Sequence, residues 1–269
     1  MTLLVVWGVP ILSILVGLLW PVLQQDTRLG TFVRGLLIYG IPAIIFGGAL
    51  LLPAIQTGGE HPKAQCRRCL KQISLALQDY HDAHGSFPPA YILGPDGKRW
   101  HSWRTLILPY MDQQMLYKQY RFDEPWDGEN NRKLSSQFPY PICQCRQDPS
   151  SNRRRDLTHF VAVVGSQTAW PGEKGIKLQD IKDGTANTVM VAEVHTPVPW
   201  FAPVDLSFED ATLLWGEGLI PSSHHPKGRH VLMADGTVRW LCSEGEFKLA
   251  KEVWEAMLTR HGKETVKVP

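Results

Sequence analysis

Hydrophobic and polar positions divide the chain into three regimes. Leu3 to Gln25 carries no charged residue, and neither does Gly35 to Gly59. A helix needs about 20 apolar residues to cross a hydrocarbon core, so each run predicts a membrane helix, at about 3–24 and 35–57. The loop Asp26 to Arg34 would join them into a hairpin, with Trp7, Trp20 and Tyr39 as interface anchors. The second regime is helical and amphipathic. Leu70, Ile73, Leu77 and Tyr80 recur at spacings of three and four, which places them on one helix face. Lys71, Gln72, Gln78 and Asp79 fall off that face, and His84-Gly85 followed by Pro88-Pro89 predicts the end of the helix.

The third regime begins with shorter periods. Trp103, Leu106, Ile107, Tyr110, Met115, Leu116 and Tyr117 predict one or two short amphipathic helices within 101–134, broken at Pro109. Asp123 to Gly128 predicts a turn. From Leu157 the pattern changes to strands: LTHFVAVVG, TVMVAEV and the pair HVLM/TVRWL are short runs rich in Val and aromatics. Asp235-Gly236 between the last two predicts a hairpin. Phe247 to Lys263 predicts a terminal helix with Gly262 as its cap. The expected fold class is α+β with a mainly antiparallel sheet: residues 1–59 form the membrane hairpin and 60–269 the folded domain.

Composition changes this picture little. A formal charge of +2 gives no electrostatic reason to expect a nucleic-acid partner, and Arg153-Arg154-Arg155 reads as a solvated loop. The cysteines matter more. Cys66-x-x-Cys69 and Cys143-x-Cys145 suit four thiolate ligands for zinc, or two disulfides tying the helix to the Tyr140–Asp148 loop. Spacing leaves both open, and without the zinc reading the chain implies no cofactor. Cys242 reads as a strand residue.

His225 precedes Asp235 by nine intervening residues, a pair that could serve acid–base chemistry, but no nucleophile motif accompanies it. Asp235 is explained by its turn. Glu193 interrupts an apolar strand, so it is either exposed or held by a base such as Arg239. The stretch VPWFAPVDL could pack under a loop or line a groove. No catalytic constellation emerges, and a non-enzyme is expected.

These motifs, in order, resemble a bacterial family of pilin-like proteins with a domain of unknown function, 1559, and a "prepilin-type processing-associated H-x9-DG" signature. The matching stretches are AQCRRCLKQISLALQDYHDAHGSFPPA, HSWRTLILPYMDQQMLY, FDEPWDGENNRKL, CRQDP, THFVAVVG, DGTANTVMVAEV, VPWFAPVDL and HHPKGRHVLMADGTVRWL. The resemblance implies that His225, Asp235 and Gly236 form the signature, and that Cys66 bridges Cys145 with Cys69 and Cys143 nested inside. It also implies a long helix packed on the sheet and a pseudopilin-like, extracytoplasmic domain anchored in the inner membrane. On that basis the expected role is a membrane-anchored envelope protein acting through protein–protein contacts. The alternative is a solute- or glycan-binding module using Trp200, Trp215 and His225. The chain lacks the GFTLIE-like peptidase site of the family, and Gly58-Gly59 with Pro62 interrupts the route from membrane to domain. Filament assembly is therefore not expected.

Overall fold

In a computed structural model, the described residues are 39, 62–137, 142–145, 147–148, 154–216, 224–225, 228–242 and 249–262. Apart from residue 39, the two expected membrane helices lie outside them. Among the described residues, no helix is long and apolar enough to cross a membrane.

Helix α1, Pro62–His84, is the longest element. Proline suits its first turn, where an amide hydrogen would have no helical partner. Leu70, Ile73, Ala76 and Leu77 are buried as the spacing predicts, and Cys66 and Cys69 extend the same face by one turn. The helix stops at Gly85, whose φ of +74° turns the chain while its N–H donates to the His81 carbonyl.

A hairpin of β1, Tyr91–Leu93, and β2, Arg99–Ser102, follows. His101 lies on β2, just before the first helical position expected from sequence, Trp103. The Ser102 side chain accepts the Arg104 N–H and starts α2, Trp103–Leu106. Pro109 does not separate two α-helices directly; it sits inside a 3-10 turn, Leu108–Met111, followed by α3, Gln114–Gln119. In the 123–128 turn, Glu124 accepts the Asn131 N–H at 2.7 Å and so anchors α4, Glu129–Ser136. That carboxylate is used in the chain's own backbone.

The main sheet contains β3 (Leu157–Val164), β4 (Val189–Pro199), β5 (Leu206–Ser207), β6 (Gly228–Met233) and β7 (Val238–Cys242). Their order is β5-β3-β4-β6-β7, antiparallel throughout except for the short β3–β5 pair. Alternation along β6 feeds two layers. Leu232 joins the core under α1, and Val231 and Met233 join a second core with Trp254, Met257 and Leu258. The expected α+β architecture is present, with a mainly antiparallel sheet.

Two further helices complete it: α5, Phe208–Gly216, and α6, Lys251–Leu258. The terminal helix is shorter than its sequence pattern. Thr259 leaves the helix in an extended conformation and bridges to Thr168, while the Gly262 N–H donates to Asp183. Gly262 thus tethers a loop and caps nothing; Phe247 lies outside the described residues.

Gly236 holds the β6–β7 turn against α1. Its φ is +86°, and an added Cβ would stand 2.5 Å from Gln78 Nε2 and 2.9 Å from Ser74 Oγ. Ser74 Oγ donates to the Gly236 carbonyl. Asp235 stays within the turn, its Oδ1 accepting from Thr237 N–H and Thr237 O–H.

Candidate functional site

Four separated segments place one side chain each at a common point. Cys66 comes from the first turns of α1, Cys145 from the 142–148 loop, Glu193 from β4 and His225 from just before β6. Their ligand-capable atoms all lie within 4.8 Å of one another, and all four residues are buried. His225 Nε2 is 3.2 Å from Cys66 Sγ, 3.7 Å from Cys145 Sγ and 3.1 Å from Glu193 Oε1. The other carboxylate oxygen of Glu193 accepts the His230 backbone N–H at 3.1 Å and faces His230 Nδ1 at 3.2 Å.

Glu193 is therefore buried and held by His225 and His230. Arg239, the partner expected from sequence, lies on β7 opposite Val231. Burial pushes the Glu193 carboxyl up, but its bonds to His225 and His230 outweigh that and hold it well below the usual carboxylate range. The bond with Cys66 lowers Cys145 to about 5, assisted by His225 and opposed by burial. The same bond and burial raise the Cys66 thiol. Burial pulls His225 down, yet Cys145 and Glu193 lift it to about 9. These shifts favour charge on Cys145, Glu193 and His225 and disfavour it on Cys66. Buried Arg229 lies in the field of Glu193 and is lowered to about 10 by burial.

A second group backs the first. The Cys145 N–H donates to His159 Nδ1 at 3.2 Å, and His159 Nε2 faces Asp148 Oδ2 at 3.1 Å. His159 is therefore fixed as the tautomer with its proton on Nε2, and burial lowers its pKa. His224 stands 3.9 Å from Asp148 and stacks on His195.

All five cysteines are unbridged. Cys66 stands beside Cys145, and buried Cys143 is hydrogen-bonded to Cys69, so the two pairings implied by the resemblance are each brought near one another. The four-thiolate set allowed by spacing does not converge. Among the described residues, the metal-competent group around Cys66 and Cys145 is completed by Glu193 and His225, not by Cys69 and Cys143.

Of the signature residues, His225 enters this group, whereas Asp235 and Gly236 form the hairpin turn. Trp200 is 1% exposed and packed in the core, and the Trp215 side chain lies outside the described residues. The 200–206 segment is held by Arg104, which sequence reading passed over. Its guanidinium is fully buried, meets Asp205 at 2.7 Å and donates to the carbonyls of Phe160, Trp200, Ala202 and Val204. Asp205 also accepts from Trp103 Nε1 and the Ala162 N–H.

A family model described as "protein of unknown function (DUF1559)" matches residues 63–219. Cys66, Cys145 and Glu193 fall inside the match, and His225 with the Asp235-Gly236 turn falls beyond it. The chain matches no curated protein and no solved structure. With more than half of its residues matched, the chain belongs to the DUF1559 family.

Proposed function

We propose that this is a membrane-anchored, non-catalytic envelope protein whose pseudopilin-like domain works through protein–protein contacts outside the cytoplasm. The observation that carries this reading is where the signature residues go. His225 is buried among Cys66, Cys145 and Glu193, and Asp235 and Gly236 are used in a turn against α1. A thiol and an imidazole stand within hydrogen-bond reach, and the burial of both supports a structural use over a catalytic one. The uncharged runs before residue 60 supply the anchor.

The test is cell fractionation followed by co-purification of the full chain from detergent-solubilised membranes. The expected chain stays with membranes through high salt, leaves them in detergent and brings a stoichiometric envelope protein with it. Recovery in the soluble fraction, or as a bare monomer after cross-linking, would refute the reading.

One observation favours solute binding as a second reading. A cleft of about 750 Å³ is lined by Trp126, Asp127, Arg132, Arg154, Arg155 and Asp156, among others. An aromatic wall beside guanidinium groups suits an anionic or sugar-like solute. Its residues differ from the Trp200, Trp215 and His225 set expected from sequence. A small carboxylate or sugar that raises the melting temperature of wild type but not of Arg132→Ala would support it over protein contacts.

A further inference from the structure

We propose that the native protein holds one divalent cation of borderline-soft character, zinc above all, through Cys66 Sγ, Cys145 Sγ, His225 Nε2 and one oxygen of Glu193. The inference does not depend on membrane anchoring, and it departs from the Cys66–Cys145 bridge that the resemblance implies.

The convergence of atoms carries it. One imidazole nitrogen stands 3.1–3.7 Å from a carboxylate oxygen and two sulfurs. A single N–H cannot serve three partners well, whereas a cation at the centre serves all four donors. Zinc bonds of about 2.3 Å to sulfur and about 2.0–2.2 Å to nitrogen or oxygen give tetrahedral edges of about 3.6 Å for N···S and about 3.4 Å for N···O. The observed separations lie close to those edges, and every pair is within 4.8 Å. Two sulfurs, one imidazole and one carboxylate suit zinc better than the all-oxygen shells of calcium or magnesium.

The surroundings are built as a metal site requires. Ligand groups are held by outer hydrogen bonds: His230 fixes the free oxygen of Glu193, and the His159–Asp148 pair holds the Cys145 backbone. Two thiolates, a carboxylate, a dication and nearby Arg229 sum to neutrality, so burial does not oppose the ion. Four protein ligands leave no open position, which makes the site structural. Its work is to tie α1 to the 142–148 loop, β4 and the chain before β6. His225 is then a ligand, giving the first residue of the H-x9-DG signature a chemical role.

The experiment uses the full chain, purified in detergent, stripped with chelator under reductant and titrated with Co(II). One equivalent should bind, with the sulfur-to-cobalt charge-transfer band and visible absorption of a tetrahedral thiolate site, and zinc should displace it. Cys66→Ser and Cys145→Ser should each weaken the charge-transfer band and the double variant should abolish it, while Cys69→Ser/Cys143→Ser should retain it. His230→Ala should keep the band and weaken binding on the order of 10–100-fold, as expected for an outer-shell partner. Wild type supplies a readout independent of variant folding: bound zinc should shield Cys66 and Cys145 from alkylation. Equal alkylation with and without metal, or no charge-transfer band in folded reduced protein, would overturn the proposal. So would a linked Cys66–Cys145 peptide in protein isolated without added oxidant.

Discussion

Replacing Arg104 with Met should be among the most damaging single changes in the domain. The substitution keeps most of the side-chain volume and deletes the guanidinium. Asp205, only 4% exposed at its side chain, would lose its 2.7 Å ion pair and retain two donors, Trp103 Nε1 and the Ala162 N–H. The buried carbonyls of Phe160, Trp200 and Ala202 would each lose a donor, and so would the part-buried Val204 carbonyl. Removing one partner of a buried ion pair costs about 3–5 kcal/mol, because the other charge is left uncompensated. With a urea dependence of about 2 kcal/mol per molar, the unfolding midpoint should fall by about 2 M. The assay is reversible urea unfolding followed by far-UV circular dichroism. Adding Asp205→Asn removes the orphaned charge, so the double variant should be more stable than the two single losses predict, by on the order of 1–3 kcal/mol. A loss below about 1 kcal/mol for Arg104→Met, or strict additivity, would refute the view that this pair clamps the 200–206 segment.

Three other outcomes follow from the same packing. Gly85→Ala and Gly236→Ala both place a side chain at positive φ, which costs roughly 1–2 kcal/mol. Open space surrounds Gly85, whereas Gly236 faces Ser74 and Gln78, so Gly236→Ala should lower the melting temperature further. Ile73→Ala, at a fully buried site on α1, should cost about 2–5 kcal/mol in urea unfolding. His101 is buried against Tyr120 and the Phe122 carbonyl, and burial depresses its pKa below 6.5. The unfolded chain then takes up the proton first. Stability should fall as pH drops below about 6.5, by at most about 1.4 kcal/mol per pH unit, and His101→Gln should flatten that part of a urea–pH series.

Local chemistry was legible from sequence wherever it set the local structure. The three- and four-residue spacing of Leu70, Ile73, Leu77 and Tyr80 specified α1 because a helix face is a short-range property. Asp235-Gly236 specified the hairpin because only Gly236 had to reach positive φ. The site was legible in parts and not as an assembly. Cys66, Cys145, His225 and Glu193 each stood out by type, yet Cys66 and His225 are 159 positions apart, and no periodicity reports such a meeting. For Glu193 the sequence allows an exposed face or a base such as Arg239, because charge complementarity alone does not reveal which neighbours a strand register supplies. Arg104 gave no signal, since a buried arginine and a solvated one look alike in a sequence. The terminal helix was read too long because Thr259 and Gly262 are drawn away by Thr168 and Asp183, partners outside the helical pattern.

On the proposal above, Cys66, Cys145, Glu193 and His225 surround one ion that fastens α1 to the rest of the domain. Anomalous diffraction at the zinc edge, from crystals grown without added metal, tests it most directly. One peak is expected inside the group, about 2.0–2.3 Å from each of the four donor atoms. The absence of a peak there, with continuous density joining the two sulfurs, would contradict it.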